Sequence, residues 1–159
     1  VTELLPGARA PRATLPRLGG GELDLPGDAT LNFLAFFKST CPTCATALPF
    51  VRVLHERAPA GFRVLGVAQD EEPAAQALAE VLGLDFPIGL ESIPWSVSAS
   101  YGLVTVPTFF LVNGGGEILV TSPGLARDEL REIGRRAAQA GGSPIDPILD
   151  PELPVFVPG

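Results

Sequence analysis

At 159 residues, with 46% apolar and only 18% charged residues, the chain is long enough to bury the core of one ordinary domain and too apolar to stay disordered. Its 11 Lys and Arg against 18 Asp and Glu leave a net charge of −7, which excludes nonspecific attraction to nucleic acid phosphates or anionic lipid. No apolar stretch approaches the roughly 20 residues that span a bilayer, so direct membrane insertion is not expected. The chain starts at Val1 and holds no Met, so a processed or trimmed form is expected, compatible with a removed signal peptide or anchor and with export.

Residues 6–25, "PGARAPRATLPRLGGGELDL", read as a loop and then a small hairpin turning at residues 19–21, with strands over 13–18 and 22–25. "TLNFLAFF" (30–37) is nearly continuous apolar and aromatic, as expected of a strand buried on both faces. From Cys41 the period changes: Cys44, Leu48, Val51 and Leu54 recur at helical spacing, and the run ends near residues 59–61. Pro42 sits in the first turn, where a missing N–H costs nothing, whereas Pro49 lies deeper and predicts a kink.

"FRVLGVAQ" (62–69) is a second strand of buried type, followed by a helix over "DEEPAAQALAEVLG" (70–83) with its carboxylates at the positive end of the dipole. A short strand over 86–90 and a short helix over 93–102 come next. "PTFFLVNGGGEILVTS" (107–122) is a hairpin turning at residues 113–116, and 127–140 is a closing amphipathic helix. Strands separated by helices imply parallel pairing with right-handed crossovers, and the late hairpin adds antiparallel strands at one side. The expected domain spans 6–140. Over 141–159 recurring Pro forbids helix and central strand alike, yet Ile145, Ile148, Leu149, Leu153 and Phe156 are too apolar for a solvated tail. An extended strap lying on the domain, or on a neighbouring copy, is expected there.

Both cysteines fall in Cys41-Pro42-Thr43-Cys44, where a buried strand ends and a helix begins. Free N–H groups and the helix dipole favour an anion at that point, so a lowered pKa is expected for Cys41. The two-residue spacing lets Cys44 attack a mixed disulfide formed on Cys41. A core of this size needs no disulfide staple, so redox chemistry outranks scaffolding. Lys38, three residues earlier, is a candidate for stabilising the Cys41 thiolate, and Asp70, Glu71 and Glu72 leave the sheet at the same edge. A solvated lysine and a helix-capping acidic cluster are the commoner roles for such charges.

A zinc site wants four ligands, and two Cys with one His do not supply them. His55, eleven residues past Cys44 on one helix, stands roughly 16 Å away along the axis and cannot join the cysteines. The glycine clusters at 19–21 and 114–116 open no helix and carry no following Lys-Ser/Thr, so they are turns and not phosphate loops. Trp95 and Tyr101 flank the segment leading to Pro107; core packing is the first expectation for each, a groove wall the second. By composition alone Pro107 starts an edge strand.

The order of these features resembles the thioredoxin-like proteins, and specifically the TlpA/ResA-type thiol–disulfide oxidoreductases of the redoxin, or AhpC/TSA, superfamily. "PGARAP" ahead of the "GGGELDL" hairpin, the apolar strand into "CPTC", Pro49, and "YGLVTVPTFFLV" before a glycine-rich turn carry the resemblance, over roughly residues 6 to 140. It implies a three-layer α/β sandwich with a central mixed sheet and an N-terminal β-hairpin extension. It also implies dithiol/disulfide exchange on protein thiols or disulfides without a metal or organic cofactor. Cys41 would attack, Cys44 resolve, and a cis Val106–Pro107 peptide, with Pro42 and Thr43, contact an extended substrate segment. A monomer acting outside the cytoplasm is the corresponding expectation, with the cytoplasm as the alternative. Departures are plain: the buried Asp that thioredoxins place six residues before the first cysteine is Ala35, and the Glu that ResA-type proteins place three residues after the second is Ala47. A peroxiredoxin-like thiol peroxidase is a weaker match, since Lys38 stands where that family has Thr. A non-catalytic binding module of the same fold is the remaining alternative.

Overall fold

The computed structural model describes residues 2–159. Its centre is a five-stranded mixed sheet of β3 (Leu31–Phe37), β4 (Phe62–Ala68), β5 (Ile88–Leu90), β6 (Thr108–Asn113) and β7 (Ile118–Pro123), in spatial order β5-β4-β3-β6-β7. β3 pairs in parallel with β4 and antiparallel with β6, and β4 pairs in parallel with β5. All seven residues of β3 are buried, because both faces of the sheet are covered.

Alternation along β3 divides two cores. Phe33, Ala35 and Phe37 face the helices α1 (Pro42–Arg57), α2 (Glu72–Leu82) and α4 (Arg127–Arg136). Leu34 and Phe36 face the N-terminal hairpin of β1 (Ala13–Pro16) and β2 (Glu22–Leu25), together with Tyr101 at the end of the short α3 (Ser96–Ser100). The rings that the sequence assigns to the core are there: Phe33 stacks on Phe109 at 5.5 Å, and Phe36, Tyr101 and Phe110 form a cluster with centroids 5.1 to 5.7 Å apart. Such pairs add about 0.5–1.5 kcal/mol each beyond the area they bury. Tyr101 is a core residue, its hydroxyl donating to the Pro11 carbonyl at 2.7 Å.

Helix ends follow local chemistry. Pro42 is the first residue of α1, as its fixed φ and missing N–H allow. Gly83 ends α2 in the left-handed conformation, φ 65°, with the Leu84 N–H reaching back to the Ala79 carbonyl at 2.9 Å. The closing helix is shorter than its periodicity suggests: α4 ends at Arg136 and tightens into a 3-10 turn over Ala137–Ala140.

From there residues 141–159 run extended over the domain. The Ile145 N–H donates to the Gly134 carbonyl at 2.9 Å, and a side chain on Gly134 would collide with the Ile145 backbone, so α4 carries a glycine where the strap crosses it. Ile145, Ile148 and Leu153 are buried, but Leu149 and Phe156, grouped with them by apolarity, remain 61% and 52% exposed. The strap ends in β9 (Phe156–Val157), an edge strand antiparallel to β8 (Leu125–Ala126), a pairing that two-residue strands give no sequence signal for.

Candidate active site

β3 delivers the chain at Phe37 into a three-residue loop, and Cys41 caps α1 from an extended backbone, φ −94° and ψ 112°. Its Sγ accepts the Cys44 N–H at 3.0 Å, taking one of the donors that a helix leaves free in its first turn. The same sulfur lies 3.5 Å from the Val106 carbonyl oxygen, which is placed to accept a weak hydrogen bond from the thiol. Both cysteines are free; Cys41 is half-buried and Cys44 fully buried one turn behind it. Burial pushes the Cys44 thiol well above its ordinary value of 9.0, the Cys41 contact and the charge of Asp70 push the same way, and the Lys38 backbone opposes them.

The two positions where relatives carry a proton-transfer carboxylate are occupied by apolar core: Ala35 and Ala47 are both fully buried. Asp70 is one of two buried carboxylates at this end of the sheet. It accepts the Ser39 N–H at 2.9 Å and the Ser39 hydroxyl at 2.6 Å, tying the end of β4 to the loop that presents Cys41. Glu71 and Glu72 begin α2, and no side-chain capping bond is made from Glu71.

Lys38 places its ammonium 4.4 Å from the Trp95 ring centroid, a cation–π contact. Both line a groove of about 590 Å³ with Cys41, Gln69, Ser98 and Val106. Trp95 therefore belongs to the groove wall, where Tyr101 does not. Beneath the groove, buried Glu91 accepts the N–H groups of Val97 and Ser98 and the Ser98 hydroxyl, the last at 2.6 Å, and Gln69 donates to that hydroxyl at 2.9 Å. Ser39, Gln69, Glu91 and Ser98 were not legible in the sequence as site residues: Ser39 and Gln69 act through partners about thirty residues away, and Glu91 and Ser98, seven residues apart, meet across a turn that no periodic pattern marks.

Val106–Pro107 is cis; Val106 is half-buried, and Pro107 accepts the Gly124 N–H at 2.7 Å. Pro42 is exposed on the first turn of α1, and the Thr43 hydroxyl donates to the Pro158 carbonyl at 2.7 Å. His55 is elsewhere, 3.4 Å from Asp85 and edge-on to Phe86. Among the described residues no group of three or more His, Cys, Asp or Glu is placed to hold a metal ion.

The family model described as AhpC/TSA matches residues 6–121, nearly three-quarters of the chain. The chain belongs to the AhpC/TSA family. Within it, the chain is 27% identical over 119 residues to the sporulation thiol-disulfide oxidoreductase A of Bacillus subtilis, covering 71% of this chain and 72% of that protein. It is 30% identical over 102 residues to the thiol-disulfide oxidoreductase ResA of Halalkalibacterium halodurans, covering 63% of this chain and 57% of ResA. Among solved structures, a Chlorobium tepidum protein described as a thiol:disulfide interchange protein DsbE superposes with a TM-score of 0.77 at 23% identity, over 87% of this chain and 99% of its own. That likeness carries the fold, a thioredoxin-like sandwich with a central mixed sheet, in agreement with the family.

Proposed function

We propose that this AhpC/TSA-family chain is a thiol–disulfide oxidoreductase exchanging with protein thiols and disulfides through Cys41 and Cys44. One observation carries the reading. Cys41 Sγ sits at the mouth of α1, receiving the Cys44 N–H at 3.0 Å, on the rim of a groove and with a second sulfur buried one turn behind. The relatives named thiol-disulfide oxidoreductases support it.

In the reducing direction the Cys41 thiolate attacks one sulfur of a partner disulfide, and the other partner sulfur leaves as a thiolate. Cys44 then loses its proton and attacks Cys41 Sγ, closing the Cys41–Cys44 disulfide and releasing the second partner thiolate. Two electrons pass from the dithiol to the partner, and the reverse sequence oxidises a partner dithiol. The negative charge of the attacking sulfur is met by the Cys44 N–H and the positive end of the α1 dipole. The Val106 backbone, Pro42 and Thr43 contact the partner segment, and Lys38 supplies positive charge at the groove. A site of action outside the cytoplasm accompanies this reading, on the resemblance to the TlpA/ResA branch; no helix among the described residues is long and apolar enough to cross a membrane.

Insulin reduction under dithiothreitol tests the assignment. Cys41→Ser should bring turnover down to the uncatalysed background while the variant stays folded. Turnover that survives this change would leave a thioredoxin-fold binding module as the better description.

A further inference from the structure

Residues 155–159, Val-Phe-Val-Pro-Gly, carry the strap back to the exchange site. Phe156 and Val157 pair with Ala126 and Leu125, and the Arg127 N–H donates to the Val155 carbonyl at 3.0 Å. The Phe156 ring lies over Gly124, where an added Cβ would stand 2.8 Å from it. Pro158 then accepts the Thr43 hydroxyl at 2.7 Å. Gly159 rests against the Val106 carbonyl and the Thr105 hydroxyl, so closely that any Cβ there would collide with both. That Val106 carbonyl is the one 3.5 Å from Cys41 Sγ, and Gly159 and Cys41 line the same groove.

These contacts are the ones an extended polypeptide makes when it docks beside a strand. Its backbone pairs with an edge, a hydroxyl meets one main-chain carbonyl, and small residues allow close approach where the walls converge. None of its side chains carries a charge, and Pro154 and Pro158 keep it extended at low entropic cost. Its hold is slight: the ribbon is two residues long, and Val155 and Phe156 keep more than half their surface in solvent. A segment seated this lightly is one that a competing chain displaces.

We propose that β8, Thr43 and the Val106 carbonyl form a single docking track for an extended partner segment with uncharged side chains and a small residue beside its reacting sulfur. Residues 155–159 occupy that track in the free protein and are displaced when the partner binds. The proposal rests on the oxidoreductase reading above and names the shape of its substrate.

Two substitutions in the full chain loosen the occupant without touching the cysteines. Gly159→Leu puts a side chain where none fits, and Phe156→Ala removes the ring from Gly124. With insulin as the protein disulfide, either should lower KM by about three- to tenfold at unchanged kcat, since freeing a blocked site raises the competent fraction. A lower KM in either variant supports the track. A KM unchanged or raised in both overturns it, a raised value making the strap part of the groove wall. Alkylation of reduced Cys41 by iodoacetamide needs no turnover, so it separates this proposal from the assignment of function. If the parent protein proves inactive on disulfides, faster alkylation in a loosened variant still supports the occupancy, and an unchanged rate in both refutes it.

Discussion

Beyond the C-terminal ends of β3 and β4 lies the groove of about 590 Å³ that holds Cys41, and beyond their other ends a larger cavity of about 700 Å³ bordered by Arg9, Arg12, Asp24, Asp28 and Arg63. The larger space has no sulfur, no helix mouth and no buried titratable side chain. Its Arg63–Asp28 pair, at 3.7 Å with Asp28 97% exposed, is screened by water and contributes little. The smaller one receives the N-terminus of α1, Cys41 and a cation on an aromatic ring, with Cys44 and the buried carboxylates Asp70 and Glu91 close behind its wall. Parallel strands followed by helices bring free N–H groups to the carboxyl ends of strands and nowhere else, so chemistry gathers at that edge whatever the cavity sizes.

The comparison is sharpened most by removing the second sulfur. Cys44→Ser should stop turnover and leave the partner attached, because Cys41 still attacks but nothing resolves the mixed disulfide; a non-reducing gel and intact mass spectrometry would show the trapped adduct. Release of the partner at the parental rate would mean that another thiol does the resolving.

Burial of Cys44 sets the pH behaviour. Since desolvation raises its pKa, the resolving step should quicken with pH across the neutral range, by up to about tenfold per unit, in single-turnover measurements. Stability moves the other way. The folded state holds this proton more tightly than the unfolded chain, so nothing changes below the ordinary thiol value of 9.0 and stability falls as pH rises beyond it. Tyr101, also raised by burial, adds to the loss beyond its ordinary 10.0. Each group contributes up to about 1.4 kcal/mol per pH unit. A denaturation midpoint that stays level in the reduced protein up to strongly alkaline pH would contradict this.

Asp70 and Asp28 give the next contrast. Asp70→Asn weakens two bonds that hold the Cys41 loop to β4 and should cost about 1–2 kcal/mol, while Asp28→Asn should leave the midpoint unmoved. Equal midpoints for the two variants would remove the distinction between the ends of the sheet. Lys38→Ala is expected to have the smallest effect, about a two- to fivefold loss in kcat/KM, through one cation–π contact. A loss of several orders of magnitude would promote Lys38 from the groove wall to the exchange chemistry.

Much of this was legible in the chain because the signals were local. Six apolar residues among the seven of β3, interrupted by Asn32 alone, read as a strand buried on both faces, a proline after Cys41 suits the first turn of a helix, and two cysteines on that junction are one turn apart by helical geometry. What stayed hidden depended on partners distant in sequence. Asp70 meets Ser39, Gln69 meets Ser98, and Trp95 takes the ammonium of Lys38, none of which leaves a periodic trace.

The strap divides most clearly between the two kinds of information. Its prolines and apolar residues already required an extended segment pressed on the domain, since proline removes the donors that a helix or inner strand needs. Where it ends is a tertiary matter. That Pro158 meets Thr43 and Gly159 meets Val106 follows from packing over Gly134 and pairing with β8, and contacts spanning from about fifty to more than a hundred residues of chain are decided by the surfaces brought together, not by neighbours along the backbone.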